Sequence, residues 1–148
     1  MTRDEAIALI NVALDRLILD DAQLLKLRIC EMALHFRIAH YMAQSGIIKP
    51  PLTLDCEYNR HLGDEKRLNL PGQTRSPKVF PDILVHERNS DENNMLVLEL
   101  KRPGLSLVHD SQKLRAYHTQ LHYRHAGHVI IGQNRLGELI REIKWIDG

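Results

Sequence analysis

Two carboxylates and an ammonium stand within one short stretch of this chain, Val79–Pro103, which reads VFPDILVHERNSDENNMLVLELKRP. They are Asp82, Glu99 and Lys101, and their chemistry depends on whether they meet. Val79–His86 and Met95–Leu100 are apolar runs of strand length, rich in Val, Ile and Leu. Arg88–Asn94 between them is rich in Asn and Asp. This is the pattern of a β-hairpin with a longish loop. If the loop is roughly symmetric, Glu87 faces Asn94, and counting back along both strands sets Asp82 opposite Glu99. Opposed residues of an antiparallel pair share a face, with Cβ atoms about 4.5–5.5 Å apart. Two carboxylates that close repel, and a divalent cation between them reverses the sign. Mg²⁺ is held by one or two carboxylates together with water and substrate phosphate. Lys101, two residues past Glu99, shares its face. The plainer alternative is a solvent-facing strand with a surface ion pair. The apolar setting speaks against it, because charged side chains are almost never fully buried unless paired.

Pro81-Asp82, followed after a hairpin by Glu99-Leu100-Lys101, resembles the PD-(D/E)xK nuclease superfamily, which includes many restriction endonucleases and phage-type nucleases. The resemblance implies an α/β fold with a restriction-endonuclease-like αβββαβ core, a mixed sheet flanked by helices. It implies Mg²⁺ (or Mn²⁺) bound by Asp82, Glu99 and the carbonyl of Leu100, with Lys101 positioning or activating the attacking water. It also implies a Glu on the first core helix that reaches the metal, and a polar residue on the helix after the ExK strand. The segments CEMALHFRIAHYM and LDCEYNR resemble small stand-alone bacterial and prophage members.

The elements that must position these groups are legible in part. Thr2 and Glu5 have capping-box spacing, and Ile7, Ile10, Leu14, Leu17 and Ile18 follow at helical spacing. This N-terminal helix is extra to the implied core. Asp20 and Asp21 can cap a second helix running to about Gln44, with Gly46 past its end. Its stripe is Leu24, Leu27, Glu31, Leu34, Ile38 and Tyr41, which puts Glu31 at a core position. A buried carboxylate requires a partner, and Glu31 fits the place of the family's helical Glu; alternatively it snorkels to water. Leu52–Arg60 alternates as a half-buried strand. It brings Asp55 and Glu57 near the hairpin if their face matches, or exposes them if it does not. His61–Lys78 is a polar loop whose Lys66, Arg67, Arg75 and Lys78 either hold a nucleic-acid backbone or serve solubility. Asp110 can cap a helix to about Arg124, carrying Gln112 and Lys113 as alternative site residues. His128–Gln133 is a buried strand, and Arg135–Ile146, with Leu136, Leu139, Ile140 and Ile143, is expected to close the chain as a helix.

At 148 residues the expectation is one domain, 1–148, with a single core. A net charge of +1 confines any nucleic-acid surface to a local patch. Cys30 and Cys56 form no CxxC and are expected to be reduced and partly buried. With no membrane-length apolar stretch and no signal-peptide pattern, the expected location is cytoplasmic and membrane-free. His118, His122, His125 and His128 are spaced closely enough for a zinc site to be weighed, although no cysteine or acidic partner completes a pattern. The function that follows is a Mg²⁺-dependent phosphodiesterase acting on nucleic acid, DNA ahead of RNA. The alternative is a binding module on the same fold that has lost turnover. A homodimer is expected, with Thr2–Leu19 as the leading interface candidate, its Ile7, Ile10, Leu14 and Leu17 stripe either facing a second subunit or closing the domain's own core; a protein partner that supplies specificity is possible.

Overall fold

The computed structural model describes residues 1–27 and 29–146. Helix α1 (Arg3–Asp20) starts on the expected capping box: Glu5 N–H donates to Thr2 Oγ1 at 3.1 Å and Thr2 N–H donates to Glu5 Oε2 at 2.7 Å. The expected second helix is broken into α2 (Ala22–Lys26) and α3 (Glu31–Gln44). Asp21 explains the break. It accepts hydrogen bonds from Arg37 Nε and the Tyr41 hydroxyl, each at 2.6 Å. In one continuous helix, sixteen residues of rise would hold Asp21 and Arg37 roughly 24 Å apart. The chain therefore folds back, and α3 begins at Glu31.

Strands β1 (Thr53–Cys56), β4 (Ile83–His86), β5 (Leu96–Lys101), β6 (His125–Gln133) and β7 (Leu139–Ile146) form a mixed sheet in the order β1-β4-β5-β6-β7. Only the β5–β6 pair is parallel, and α4 (Val108–Leu121) makes the crossover. Two short strands, β2 (Arg60–His61) and β3 (Asp64–Glu65), pair within the stretch read as a loop. The hairpin register is the one obtained by counting: Ile83 pairs Leu98, Leu84 pairs Val97 and Val85 pairs Leu96. Alternation then divides the sheet. Ile83, Val85, Leu96, Leu98 and Leu100 pack under α1–α3. Leu84, Val97 and Ala126 pack under α4, with Leu68, Leu70 and Val79 of the preceding segment.

Three expectations are corrected. The tail is strand β7, not a helix. Asn134 Oδ1 accepts the N–H groups of Leu136 and Glu138, and Gly137 takes φ +80°, so the chain turns back and pairs with β6 from Leu139 to Ile146. Leu139, Ile140 and Ile143 fit a helical period, but Ile143 and Trp145 also fit an alternating one, and the open side of β6 decides between them. The apolar stripe of α1 faces inward: Ile10, Leu14 and Leu17 are fully buried in the core shared with α3. It therefore offers no surface for a second subunit. Cys30 and Cys56 are free and exposed rather than partly buried. Among the described residues, no helix is long and apolar enough to cross a membrane.

Candidate functional site

The two faces of the hairpin differ at one end. On β5 the α4-facing positions are Val97, Glu99 and Lys101, so the apolar alternation gives way to charge where the strand runs out. Asp82 directly precedes β4, opposite Glu99, and its Oδ2 accepts the Leu100 N–H at 2.6 Å. Glu99 is 3% exposed. The first turns of α4 supply counter-charges: Lys113 Nζ lies 2.7 Å from Glu99 Oε2, and Lys101 Nζ lies 2.7 Å from Asp110 Oδ2. Lys113 also lies 3.9 Å from Asp110 Oδ1. From α3, His35 Nε2 comes within 3.7 Å of Asp82 Oδ2.

The electrostatics are those of a desolvated carboxylate pair. Burial, with the Asp82 charge adding to it, pushes Glu99 up to about 8. Asp82 is raised as well, chiefly by burial. Burial works against the Lys101 ammonium, but the hydrogen bond to Asp110 and the charges of Asp110, Glu31 and Asp82 together outweigh it and hold the group above its ordinary value. Among the described residues, five buried side-chain polar atoms have no hydrogen-bond partner within the protein: His35 Nδ1 and Nε2, Glu99 Oε1, Tyr117 Oη and His128 Nδ1. They gather here. His128 pairs with Glu99 across β5–β6, and the Asp82 and Glu99 charges both act on the Tyr117 phenol. Buried polar atoms are ordinarily hydrogen-bonded, so their concentration in one place sets this cluster apart from the apolar core around it.

A divalent cation is the group to test against these residues. Among the described residues, no three His, Cys, Asp or Glu side chains form a metal-holding group. Mg²⁺ requires only one or two carboxylates plus water and phosphate. Asp82 and Glu99, with Glu99 Oε1 unpartnered, fit that open arrangement. Leu100 contributes its N–H to Asp82, a contact the sequence does not reveal.

The other sequence candidates separate. Glu31 is the exposed first residue of α3, not a core position; it lines a small cleft with His35, Lys101 and Arg102, beside the cluster. Of the α4 pair, Lys113 reaches the site, while Gln112 is half-buried on the same turn. The basic loop does not form a phosphate surface as a unit. Lys66 is 2% exposed at the opposite end of the strands, donating to Tyr123 Oη at 3.1 Å with its ammonium 5.4 Å from the ring centroids of Tyr58 and Tyr123. Arg67 and Lys78 both pair with Glu65, and Arg75 is exposed. Asp55 shares the α4 face but turns to His86 and Arg88, and the Glu57 N–H donates to Pro81 O. The four spaced histidines scatter: His118 to Tyr123 O, His125 to Met1 O, His128 to Ser111, and His122 to the left-handed end of α4.

Sequence reasoning missed His35, Asp110, Ser111, Tyr117 and His128. The sequence places Asp110 as a helix cap, but α4 starts at Val108 and Asp110 lies in its first turn, buried. Its spacing of three from Lys113 was the available signal. His35 lies one turn beyond Glu31, so the break before α3 moves the inward-facing position from one to the other. No family model, curated protein or solved structure matches the chain.

Proposed function

We propose that this protein is a metal-dependent nuclease that hydrolyses phosphodiester bonds of nucleic acid, DNA ahead of RNA. One observation carries the reading: a buried carboxylate, Glu99, and a half-buried one, Asp82, set facing each other with Lys101 and Lys113 beside them. A fold has no use for that repulsion. The element order α3-β1-β4-β5-α4-β6 supports the restriction-endonuclease-like assignment.

In this reading Asp82 and Glu99 hold Mg²⁺ or Mn²⁺. When bound, the ion supplies Lewis acidity toward the scissile phosphate and an acidified water. Lys101 orients the attacking water and stabilises the charge that develops on the phosphate oxygens. Asp110 fixes the Lys101 ammonium and keeps it protonated. Lys113 balances Glu99 before substrate arrives and is free to turn to a phosphate afterwards. His35, buried against Asp82, sets the orientation of that carboxylate.

Ser111 Oγ lies 2.9 Å from His128 Nε2, the spacing of a nucleophile and its base. This favours a second reading, a metal-independent serine hydrolase. The two readings part in one experiment, cleavage of plasmid and oligonucleotide substrates with Mg²⁺, Mn²⁺ or EDTA. The nuclease reading expects cleavage only with metal, and loss of at least 10²-fold in Asp82→Ala with Ser111→Ala active. Equal cleavage by wild type and Asp82→Ala in matched Mg²⁺ refutes it.

A further inference from the structure

The chain has two phenylalanines, and neither is in the core. Phe36 is 62% exposed and Phe80 48% exposed. Phe36 directly follows His35, and Phe80 stands two residues before Asp82. Along the chain, each surface ring thus stands within two residues of a member of the carboxylate cluster. The Phe36 ring is itself stacked on the His40 imidazole, 6.1 Å between centroids at 22°, which stiffens it as a platform.

A groove of about 470 Å³ leads away from the cluster and is lined in part by Leu24, Leu25, Arg102, Leu105, Arg135 and Leu136. Among the described residues, no acidic side chain lines it. It shares Leu34, Arg102 and Ile131 with the cleft that holds Glu31, His35 and Lys101. The passage from the cluster therefore runs between arginines over an apolar floor, a lining suited to phosphate charge above and base faces below.

The geometry points to a nucleic-acid substrate with unpaired bases: a single strand, or the single-stranded arm of a branched molecule, with bases stacked on Phe36 and Phe80 and its backbone in the arginine groove. This rests on the nuclease reading of the adjoining cluster. In a duplex both faces of each base are covered by neighbours, so a surface ring finds nothing to stack on; an unpaired base offers an open face. Phosphate contacts dominate the binding of most duplex-binding proteins. Here the net charge is +1, and Arg67 and Lys78 are committed to Glu65, so base stacking carries a larger share. The rings supply affinity without reading sequence.

The test is fluorescence anisotropy of a labelled single-stranded oligonucleotide, and of its duplex, with wild-type protein in EDTA, where metal-dependent cleavage cannot proceed. The single strand is expected to bind more tightly. Phe36→Leu and Phe80→Leu should each weaken single-strand binding about 5- to 150-fold, the factor that about 1–3 kcal/mol per stacked base gives. Duplex binding should be unchanged, and Phe36→Tyr and Phe80→Tyr should bind as wild type. Equal affinity for single strand and duplex overturns the proposal, as do leucine variants that bind normally. A dimer in light scattering that Phe36→Leu dissociates also overturns it, since that ring then belongs to a protein interface. Ring-dependent single-strand binding without cleavage under any metal would refute the nuclease reading alone. Cleavage of duplex as fast as single strand, indifferent to both rings, would refute this one alone.

Discussion

Glu99→Gln isolates the buried carboxylate, because glutamine reproduces the shape and neutrality of its protonated form. In the folded protein Glu99 titrates at about 8 rather than at its ordinary 4.5. Between those values the folded state keeps a proton that the unfolded state has released. Stability therefore falls as pH rises across this window and levels off above it. At about 1.36 kcal/mol for each pH unit, the full loss is roughly 5 kcal/mol. Asp82, also raised, adds a fall of the same sign. The difference between wild type and Glu99→Gln cancels groups that are unaffected by the substitution. Urea unfolding, followed by Trp145 fluorescence in EDTA at pH 5, 6, 7 and 8, measures that difference directly. The two proteins should be close at pH 5, with the glutamine variant the more stable by several kcal/mol at pH 8. Saturating Mg²⁺ at pH 8 should restore wild type by about 2.7 kcal/mol at one hundred times its dissociation constant, and the variant by less. Identical pH slopes for the two proteins would refute the burial argument. A Mg²⁺ effect of equal size in both would refute the assignment of Glu99 to the ion.

Two further outcomes follow from the same electrostatics. Asp110→Asn removes the carboxylate that holds Lys101 protonated, so cleavage should fall roughly 10²-fold and the alkaline limb of the pH–rate profile should move to lower pH; an unmoved limb would show that Asp110 does not act through Lys101. Lys66 is pushed down to about 8 by burial, so its ammonium is held at a cost below pH 8 and stability should rise between pH 8 and 10.5, by roughly 3 kcal/mol at most. Lys66→Met should flatten that rise and be at least as stable as wild type at pH 7, whereas clear destabilisation at pH 7 would show the aromatic contacts with Tyr58 and Tyr123 to outweigh the burial penalty.

What could be read without a structure was local. The Thr2–Glu5 capping box depends on groups three residues apart, and the β4–β5 register depends on two apolar runs and the turn-forming residues between them. Asp82 and Glu99 could therefore be set facing each other by counting. The partners of those carboxylates could not. Lys113, Asp110 and His35 arrive from helices on opposite faces of the sheet, and their approach is set by how α3 and α4 pack, not by any spacing along the chain. Glu31 and His35 differ by one helical turn, and the Asp21–Arg37–Tyr41 contact, which breaks the helix ahead of α3, decides which of them looks inward. Lys66 carries no mark of burial in its own neighbourhood; Tyr123, 57 residues away, encloses it. The tail had two admissible periods, and only the unpaired edge of β6 selected strand over helix. Periodicity, capping and turn chemistry act over a few residues and are written in the order of the residues. Ion pairs between elements, the burial of a charge and the pairing of a sheet edge are energies of the packed molecule, and they exist only once the layers have closed.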